Sequence, residues 1–380
     1  MKHQTKNIDS FCFVTDYVAN GSFASLKQGV TYRNKPDYAI LVRVTDYTKN
    51  WNGNYVWVDK DSYDFLNKSS LKEGDLIIAN VGETGKCFVL PNLGQPMTLG
   101  PNSILVRPEP EICNTKYLYY YFSSVTGQAE IEKISSATTQ SKFNKTSFRK
   151  LEIPLPPFPI QQQIADTLDK ADALRRKDHE LLDKYDELAQ AVFYEMFGDP
   201  VRNEKGWPEL PFSETVTNNN NLRIPIKQED RDLRNGEFPY YGATGQIDWI
   251  NDYKFDGEYL LIAEDGKNLL IRKKPNAFRV SGKFWVNNHA HVLSYNGIVD
   301  LCFLEYYFNR LDLKPFVTGI DQFKLNKNNL DIIPVICPPI EKQKYFRHLI
   351  ENIMHQKSLL NINIDHSNKC FDSLRTIYFK

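Results

Sequence analysis

The sequence predicts an α+β fold: two related, sheet-rich domains of mixed α and β structure, each followed by a long helix, with the two helices pairing as an antiparallel coiled-coil spacer. Three observations predict it. The first is an internal repeat. "KFNK" at 142–145 matches "KLNK" at 324–327, "LYYYF" at 118–122 matches "LEYYF" at 304–308, and "EGDLIIAN" at 73–80 resembles "DGEYLLIAED" at 256–265, all in the same order. The second is a proline-rich joint that occurs twice, "KLEIPLPPFPIQQQIADTLDKAD" at 150–172 and "DIIPVICPPIEKQKYFRHLIENIM" at 331–354. The third is the helical pattern that runs on from each joint.

The repeat spans roughly 180 residues, far beyond the 20–50 of a solenoid unit, so whole domains are duplicated. The expected boundaries are a first domain at 1–150, a joint and central helix at 151–200, a second domain at 201–332, and a joint and C-terminal helix at 333–380. Within the domains, β-branched and aromatic runs bounded by turn residues read as strands. They are "YAILVRV" 38–44, "NYVWV" 54–58, "DLIIANV" 75–81, "EYLLIAE" 258–264, "NLLIRK" 268–273 and "FWVNNHAHVLSY" 284–295. "VGETGK" 81–86 and "YGATG" 241–245 read as turns. "YLYYYF" and "FLEYYF" read as short helices with aromatic faces.

From Ile160 to about Phe197, the apolar positions Ile164, Ala171, Leu174, Leu181, Tyr185, Leu188 and Val192 approximate a heptad stripe, which Asp178 interrupts. Pro159 suits a first helical turn, and Gly198 followed by Pro200 stops the helix. At ~1.5 Å per residue the rod is roughly 55 Å long and needs a partner for its stripe. The second tract, Ile340 to about Tyr378, carries Phe346, Leu349, Ile350, Ile353, Leu359, Ile362, Ile364, Leu374 and Ile377. Proline fixes φ and prevents an early helix start, so each joint sets a stiff exit from domain into rod.

Composition narrows the function. The chain has 380 residues, 41% of them hydrophobic and 25% charged, as in a soluble globular protein. No run approaches the roughly 18 apolar residues of a membrane helix, and the residues around Lys2 and Lys6 lack the apolar core of a signal peptide. The six cysteines form no C-x-x-C pair and read as reduced and mostly buried, which points to the cytoplasm. The net charge is zero, but residues 1–150 carry 18 basic against 14 acidic side chains, residues 151–200 carry 5 against 11, residues 201–332 carry 17 against 18, and residues 333–380 carry 7 against 4. Local patches decide whether a surface attracts phosphate.

The catalytic motifs are incomplete. "LPPF" at 155–158 has the Pro-Pro-aromatic of amino-methyltransferases, but Leu155 replaces the polar residue that would bond the target amino group. "GETGKC" at 82–87 lacks P-loop spacing and the following Ser or Thr, and reads as a hairpin turn carrying an exposed lysine. "HAH" at 289–291 puts two imidazoles on one face of an expected strand without a third ligand, so hydrogen-bonded histidines are the simpler reading than metal. Lysine and asparagine clusters in the turns point instead to DNA: lysine neutralises phosphates, and Arg and Asn bond base edges. The candidate DNA-binding residues are Lys86, Lys142, Asn144, Lys145, Arg272, Lys273, Lys274, Lys283, Asn287, Asn288, Lys324, Asn326 and Lys327. The rival reading is a two-headed coiled-coil adaptor that binds proteins rather than DNA and leaves these clusters unused.

The chain resembles the specificity subunits of type I restriction–modification enzymes. The resemblance lies in "GDLIIANVGETGKCFVLP" 74–91, "LEIPLPPFPIQQQIADTLDKADALRRK" 151–177, "MFGDP" 196–200 and the long segment 238–293. The second joint departs from the pattern at Ile336 and Cys337. The resemblance implies a non-catalytic subunit whose two target-recognition domains read the halves of a bipartite, asymmetric site in double-stranded DNA. It implies docking of two modification subunits that bind S-adenosylmethionine and methylate a flipped adenine. Two restriction subunits, consuming ATP with Mg2+, could join that core. The helix pair would then act as a ruler. Inserting one or two helical turns within 175–190 is expected to lengthen the gap between half-sites and leave both half-sites unchanged, as read by mapping the methylated motif; an altered half-site would contradict the ruler.

Overall fold

The computed structural model describes residues 4–136 and 141–380; Lys2 lies outside them. The chain divides into two compact units, one formed by 1–179 with 362–380, the other by 180–361. The first unit therefore takes its second helical segment from the far end of the sequence, whereas the second is one continuous stretch that holds the end of one long helix and the start of the other.

In the first unit, a four-stranded antiparallel sheet orders the strands Cys12–Asp16, Ser103–Pro108, Leu76–Ala79 and Cys87–Val89. The second unit repeats that order with Val216–Asn218, Ala290–Tyr295, Tyr259–Ala263 and Ala277–Val280. The central strands are apolar on both faces, as a sheet covered on both sides requires: Leu76 to Ala79 and Leu260 to Ala263 are all fully buried. Each unit adds a second sheet, and here the copies diverge. The first has five strands, Tyr32–Arg33, Val56–Val58, Ala39–Val42, Met97–Leu99 and Ser70–Leu71; the second has four, Gly245–Ile250, Phe238–Gly242, Lys283–Val286 and Phe255–Asp256.

Two strand expectations are corrected. Residues 268–271 form a short helix, because Asn268 turns its amide onto Lys274 O and Asn276 Oδ1 and closes the segment into a local loop. The run 284–295 is two strands, Lys283–Val286 and Ala290–Tyr295, in different sheets. The Asn287 side chain accepts from His289 N at 2.8 Å and turns the chain between them. The aromatic helices form as expected, at Thr115–Phe122 and Leu301–Phe308, with side-chain caps from Asn114 and Asp300.

At each joint a strand of three residues pairs with the start of its own half: Glu152–Pro154 with Thr5–Asn7, and Pro334–Ile336 with Glu209–Pro211. Tyr117 and Tyr307 donate their hydroxyls to Pro154 O and Pro334 O, both at 2.8 Å. The long helices follow, Phe158–Phe197 and Ile340–Phe379. A glutamine in the first turn of each is fully buried. Gln161 donates to Pro156 O at 2.8 Å and Ile112 O at 3.0 Å, and accepts from Asn114 N at 2.9 Å. Gln343 donates to Pro338 O at 2.7 Å and accepts from Asp300 N at 2.8 Å. The exit angle is thus held by a buried amide as well as by proline stiffness, with each glutamine tying helix, joint and the aromatic helix's capped N-terminus together.

The helices meet along a strict 3–4 spacing. On the central helix the inward positions are Ile164, Leu168, Ala171, Arg175, Asp178, Leu182, Tyr185, Ala189, Val192 and Met196; on the C-terminal helix they run Phe346, Ile350, Ile353, Lys357, Leu360, Ile364, Ser367, Phe371, Leu374 and Tyr378. The expected stripe was partly misassigned. Leu174, Leu181, Leu188, Leu359, Ile362 and Ile377 lie outside it and are exposed. A two-helix pair has one seam, and Asp178 belongs to it, 3.4 Å from Ser367 Oγ. In the first unit, the guanidinium groups of Arg175 (4.4 Å) and Arg375 (5.0 Å) both lie over the Phe371 ring, which packs edge-on to Tyr120, while Phe379 packs on Tyr117 and Tyr121. In the second unit, Phe193 and Phe197 pack on Phe303 and Phe346.

Truncating Gln161 to Ala strands two carbonyls and an amide in the interior. It is expected to destabilise the first unit by about 2–4 kcal/mol in urea denaturation, whereas Gln162→Ala, at a half-exposed position, should cost under about 1 kcal/mol. Equal costs would show that the buried amide is not what fixes the joint.

Candidate nucleic-acid interface

The repeated "K-x-N-K" segments fold alike. Asn144 and Asn326 cap the short helices Lys145–Arg149 and Lys327–Asp331, accepting from Ser147 N and Asn329 N at 2.8 and 2.9 Å. Their side chains therefore have a local structural task. Lys142 and Lys324 form equivalent backbone bridges, Lys142 with Val81 and Ser136, Lys324 with Asp265 and Thr318. In both units a loop leaving a central strand is laced to the segment before the capped helix.

In the first unit this brings Lys86 and Lys142 into one loop cluster. The turn 81–86 is tied to Ser141 by Gly82 N (3.1 Å) and by Thr84 Oγ1 to Ser141 Oγ (2.8 Å). Lys86 is half-buried and paired with Glu83 at 2.8 Å, not the free exposed lysine expected of this turn. Lys145 is neutralised by Asp16 at 2.7 Å. Lys142 is exposed and has no ion pair among the described residues.

In the second unit the candidates fall into separate places. Arg272, Lys273 and Lys274 are exposed and have no acidic partner among the described residues; with Pro275, Asn276 and Asn309 they line a hollow of about 270 Å³. Arg272 takes a left-handed conformation, φ 55°, at the end of the helix Asn268–Ile271. Lys283 lies over the Tyr253 ring at 4.5 Å. Asn287 is buried in its turn, and the exposed Asn288 lends its carbonyl to Arg223 at 3.3 Å. Lys324 lies 3.4 Å from Glu264, and Lys327 pairs with Asp331.

Sequence reasoning missed the network that organises this face. Arg223 donates to Glu264 Oε2 at 2.8 Å and to Ala290 O at 2.7 Å. Burial alone would push the Glu264 carboxyl up; the hydrogen bond from Arg223, the charges nearby and the Lys324 bond outweigh it and hold the group below the usual range. His291 is fully buried, and burial pulls its pKa down against the opposing pull of Leu325 O and Glu264. The neutral ring donates from Nε2 to Leu325 O and accepts at Nδ1 from Asn220, both at 2.8 Å. His289 lies in the preceding turn, exposed and bonded to Asp265 at 2.8 Å. The two imidazoles do not share a strand face, and the described residues hold no cluster of three metal-ligating groups. The signal for the network was the asparagine-rich "NNNNLRIP" at 218–225, whose Asn220 and Arg223 reach across to 264 and 288–292.

Comparisons with known proteins place these features in a family. A family model described as the type I restriction modification DNA specificity domain matches residues 9–183 and again 207–363. A putative type I restriction enzyme specificity subunit of Haemophilus influenzae is 37% identical over 133 residues; that match covers 35% of this chain and 34% of the Haemophilus protein, about a third of its length. The type I restriction enzyme MjaIX specificity subunit of Methanocaldococcus jannaschii is 21% identical over 366 residues, covering 82% of this chain and 83% of that protein. The crystal structure of the type I restriction–modification S subunit from M. genitalium superposes with a TM-score of 0.62 at 16% identity, covering 99% of this chain and 96% of that one, which shows a shared fold. No helix among the described residues is long and apolar enough to cross a membrane.

The neutral, buried His291 gives a pH signature. Its folded pKa lies below its ordinary value of 6.5, so its contribution to stability is complete above that value and is lost as pH falls through it toward the folded pKa. His291→Gln is expected to flatten the decline in stability as pH falls below 6.5, by up to about 1.4 kcal/mol per pH unit. An unchanged slope in denaturation at several pH values would show that His291 is not held neutral.

Proposed function

The chain belongs to the type I restriction–modification DNA specificity family, and from that premise we propose that it is the non-catalytic, sequence-reading subunit of a type I enzyme. Each globular unit reads one half of a bipartite, asymmetric site in duplex DNA, and the helix pair sets the gap. The observation that carries this reading is the duplicated unit. One sheet is copied with its strand order intact and the other is rebuilt, as expected when two readers share a frame and differ in target. Arg272, Lys273, Lys274 and Lys142, exposed and unpaired among the described residues, support backbone contacts to phosphate. The adaptor reading gives these cations no role.

In this reading the chemistry belongs to partner subunits. Two modification subunits bind S-adenosylmethionine and methylate adenine N6; restriction subunits, where present, use ATP and Mg2+. The exposed leucines support a docking surface on the helices. Leu181 and Leu188, 41% and 46% exposed, are seven residues apart and off the seam, and Leu174 continues the spacing in the first unit. Apolar residues at a regular helical spacing suit a partner helix.

The deciding experiment is an adenine-methylation map of cells expressing this chain with its cognate modification subunit, against cells lacking only this chain. A new two-part motif with a fixed gap is expected; its absence, with the proteins shown to associate, would overturn the specificity reading. The double substitution Leu181→Glu/Leu188→Glu is expected to leave the helical circular-dichroism signal intact and to abolish co-purification of the modification subunit. Undiminished co-purification would move the docking surface elsewhere.

A further inference from the structure

The loops that leave the two central strands differ in length and in charge. In the first unit, residues 80–86 join Leu76–Ala79 to Cys87–Val89, and their one cation, Lys86, is paired with Glu83. In the second unit, residues 264–276 join Tyr259–Ala263 to Ala277–Val280, six residues more between strands in the same register. The acids of this longer loop are engaged, Glu264 with Arg223 and Lys324, Asp265 with His289. Its four cations, Lys267, Arg272, Lys273 and Lys274, are exposed and have no acidic partner among the described residues. Like charges placed side by side repel, so the run is unfavourable until an anion meets it.

The loop is nonetheless built to a fixed shape. Leu269 is fully buried in the core. Asn268 donates to Lys274 O at 2.9 Å and accepts from Lys274 N at 3.0 Å. Asn276, 3% exposed, donates to Leu269 O at 3.1 Å and accepts from Asn268 at 2.7 Å. Arg272 is where this shape is strained. It ends the helix Asn268–Ile271 with φ 55° and ψ 38°, the left-handed conformation that glycine adopts freely. The other non-glycine residues with positive φ among those described are Asn50, Asn102 and Asn203, whose type tolerates it, and Trp51, which packs on Tyr47 and Phe88. The Arg272 side chain makes no hydrogen bond or ion pair among the described residues, so the fold gives it no task that would justify the strain. Strain kept at an exposed position points to a use outside the chain.

The surroundings of Arg272 say what it meets. Arg272, Lys273 and Lys274 line one hollow of about 270 Å³. That is below the roughly 300–1,000 Å³ of small-molecule sites and suits one anionic group with its water. The amides beside it are already committed: Asn309 accepts from Asn276 N and Ala277 N and donates to Ala277 O, and Asn276 is bonded within the loop. The hollow therefore offers cations without a free amide to read a base edge. A planar guanidinium binds phosphate through two parallel N–H bonds, and lysines add point charge.

We infer that the 264–276 loop is a seat for one phosphate, with Arg272 held by its backbone for a bidentate bond and Lys273 and Lys274 closing the seat. For its source, a backbone phosphate of duplex DNA, the inference rests on the specificity reading above. It goes beyond that reading in making the contact a sequence-independent anchor that the second unit has and the corresponding loop of the first lacks. A free polyphosphate is the other source of the same chemistry.

The test uses the full chain and its Arg272→Gly and Arg272→Lys variants. Binding to a duplex carrying the mapped motif and to a scrambled duplex of equal length is followed by fluorescence anisotropy between about 50 and 200 mM salt. Arg272→Gly is expected to melt no lower than the native chain and to bind both duplexes about 10-fold more weakly. It should also lose about one unit from the slope of log affinity against log salt. Arg272→Lys should keep the slope and recover only part of the affinity. A loss confined to the motif duplex would make Arg272 a base reader and overturn the inference. Unchanged affinity and slope would overturn it too, as would a lower melting temperature for Arg272→Gly, which would assign the side chain to the fold. If the native chain binds neither duplex, the specificity reading fails, and a titration with inorganic tripolyphosphate decides the seat. Binding that Arg272→Gly weakens would uphold the seat with a free anion as its source; no binding, or binding equal in both proteins, would overturn it.

Discussion

Everything in this molecule depends on each globular core being closed by the end of a long helix that belongs to the other half of the repeat. The first unit needs Phe371 and Phe379 to cover Tyr117, Tyr120 and Tyr121; the second needs Phe193 and Phe197 to cover Phe303. Aromatic side chains bury large areas, so uncovering them is expensive. Neither half of the sequence can complete a core alone, and the long helices are obligatory parts of the cores they leave and enter.

That arrangement works only if each helix leaves its joint in a fixed direction. Proline narrows the backbone choices, but the buried glutamines hold the direction. Gln161 and Gln343 bond main-chain groups on both sides of the joint and at the start of the aromatic helix. A buried amide with its partners satisfied specifies geometry more sharply than an apolar contact, because misalignment leaves polar groups unpaired. The seam shows the same economy. Its middle mixes the polar Arg175, Asp178, Lys357 and Ser367 with the apolar Leu182, Leu360 and Ile364, and its phenylalanine contacts concentrate at the two ends where the globular cores need them.

The duplicated units keep what supports the joint and change what faces outward. The capping asparagines Asn144 and Asn326, the bridges at Lys142 and Lys324 and the strand order are the same in both. The second sheets differ in strand number, and where Arg223 bridges Glu264 and Ala290 in one unit, the neutral Asn80 and Ser103 stand in the other. A charged network and a neutral pair at one fold position are different chemistry on one frame, which suits two readers of different targets.

The sequence by itself determined the duplication, the joints, the aromatic helices, the strand-rich domains and the family, because these are written in local pattern: turn residues, alternation, proline and cap. It also located the K-x-N-K segments. It did not reveal that Asn144 and Asn326 serve as caps, that Lys145 and Lys327 are paired with Asp16 and Asp331, or that Asn287 shapes a turn. Partners such as Asp16 and Lys145 lie far apart in the chain, and composition carries no information about which charges meet. The seam was misread for a related reason. Leu174, Leu181 and Leu188 satisfy a heptad as well as the true stripe does, and only packing against the other helix and the globular cores selects the register in which Asp178 is inside and those leucines are out. Tertiary structure alone decided which end of which helix closes which core, because that choice is made by surfaces that do not exist until both halves have folded.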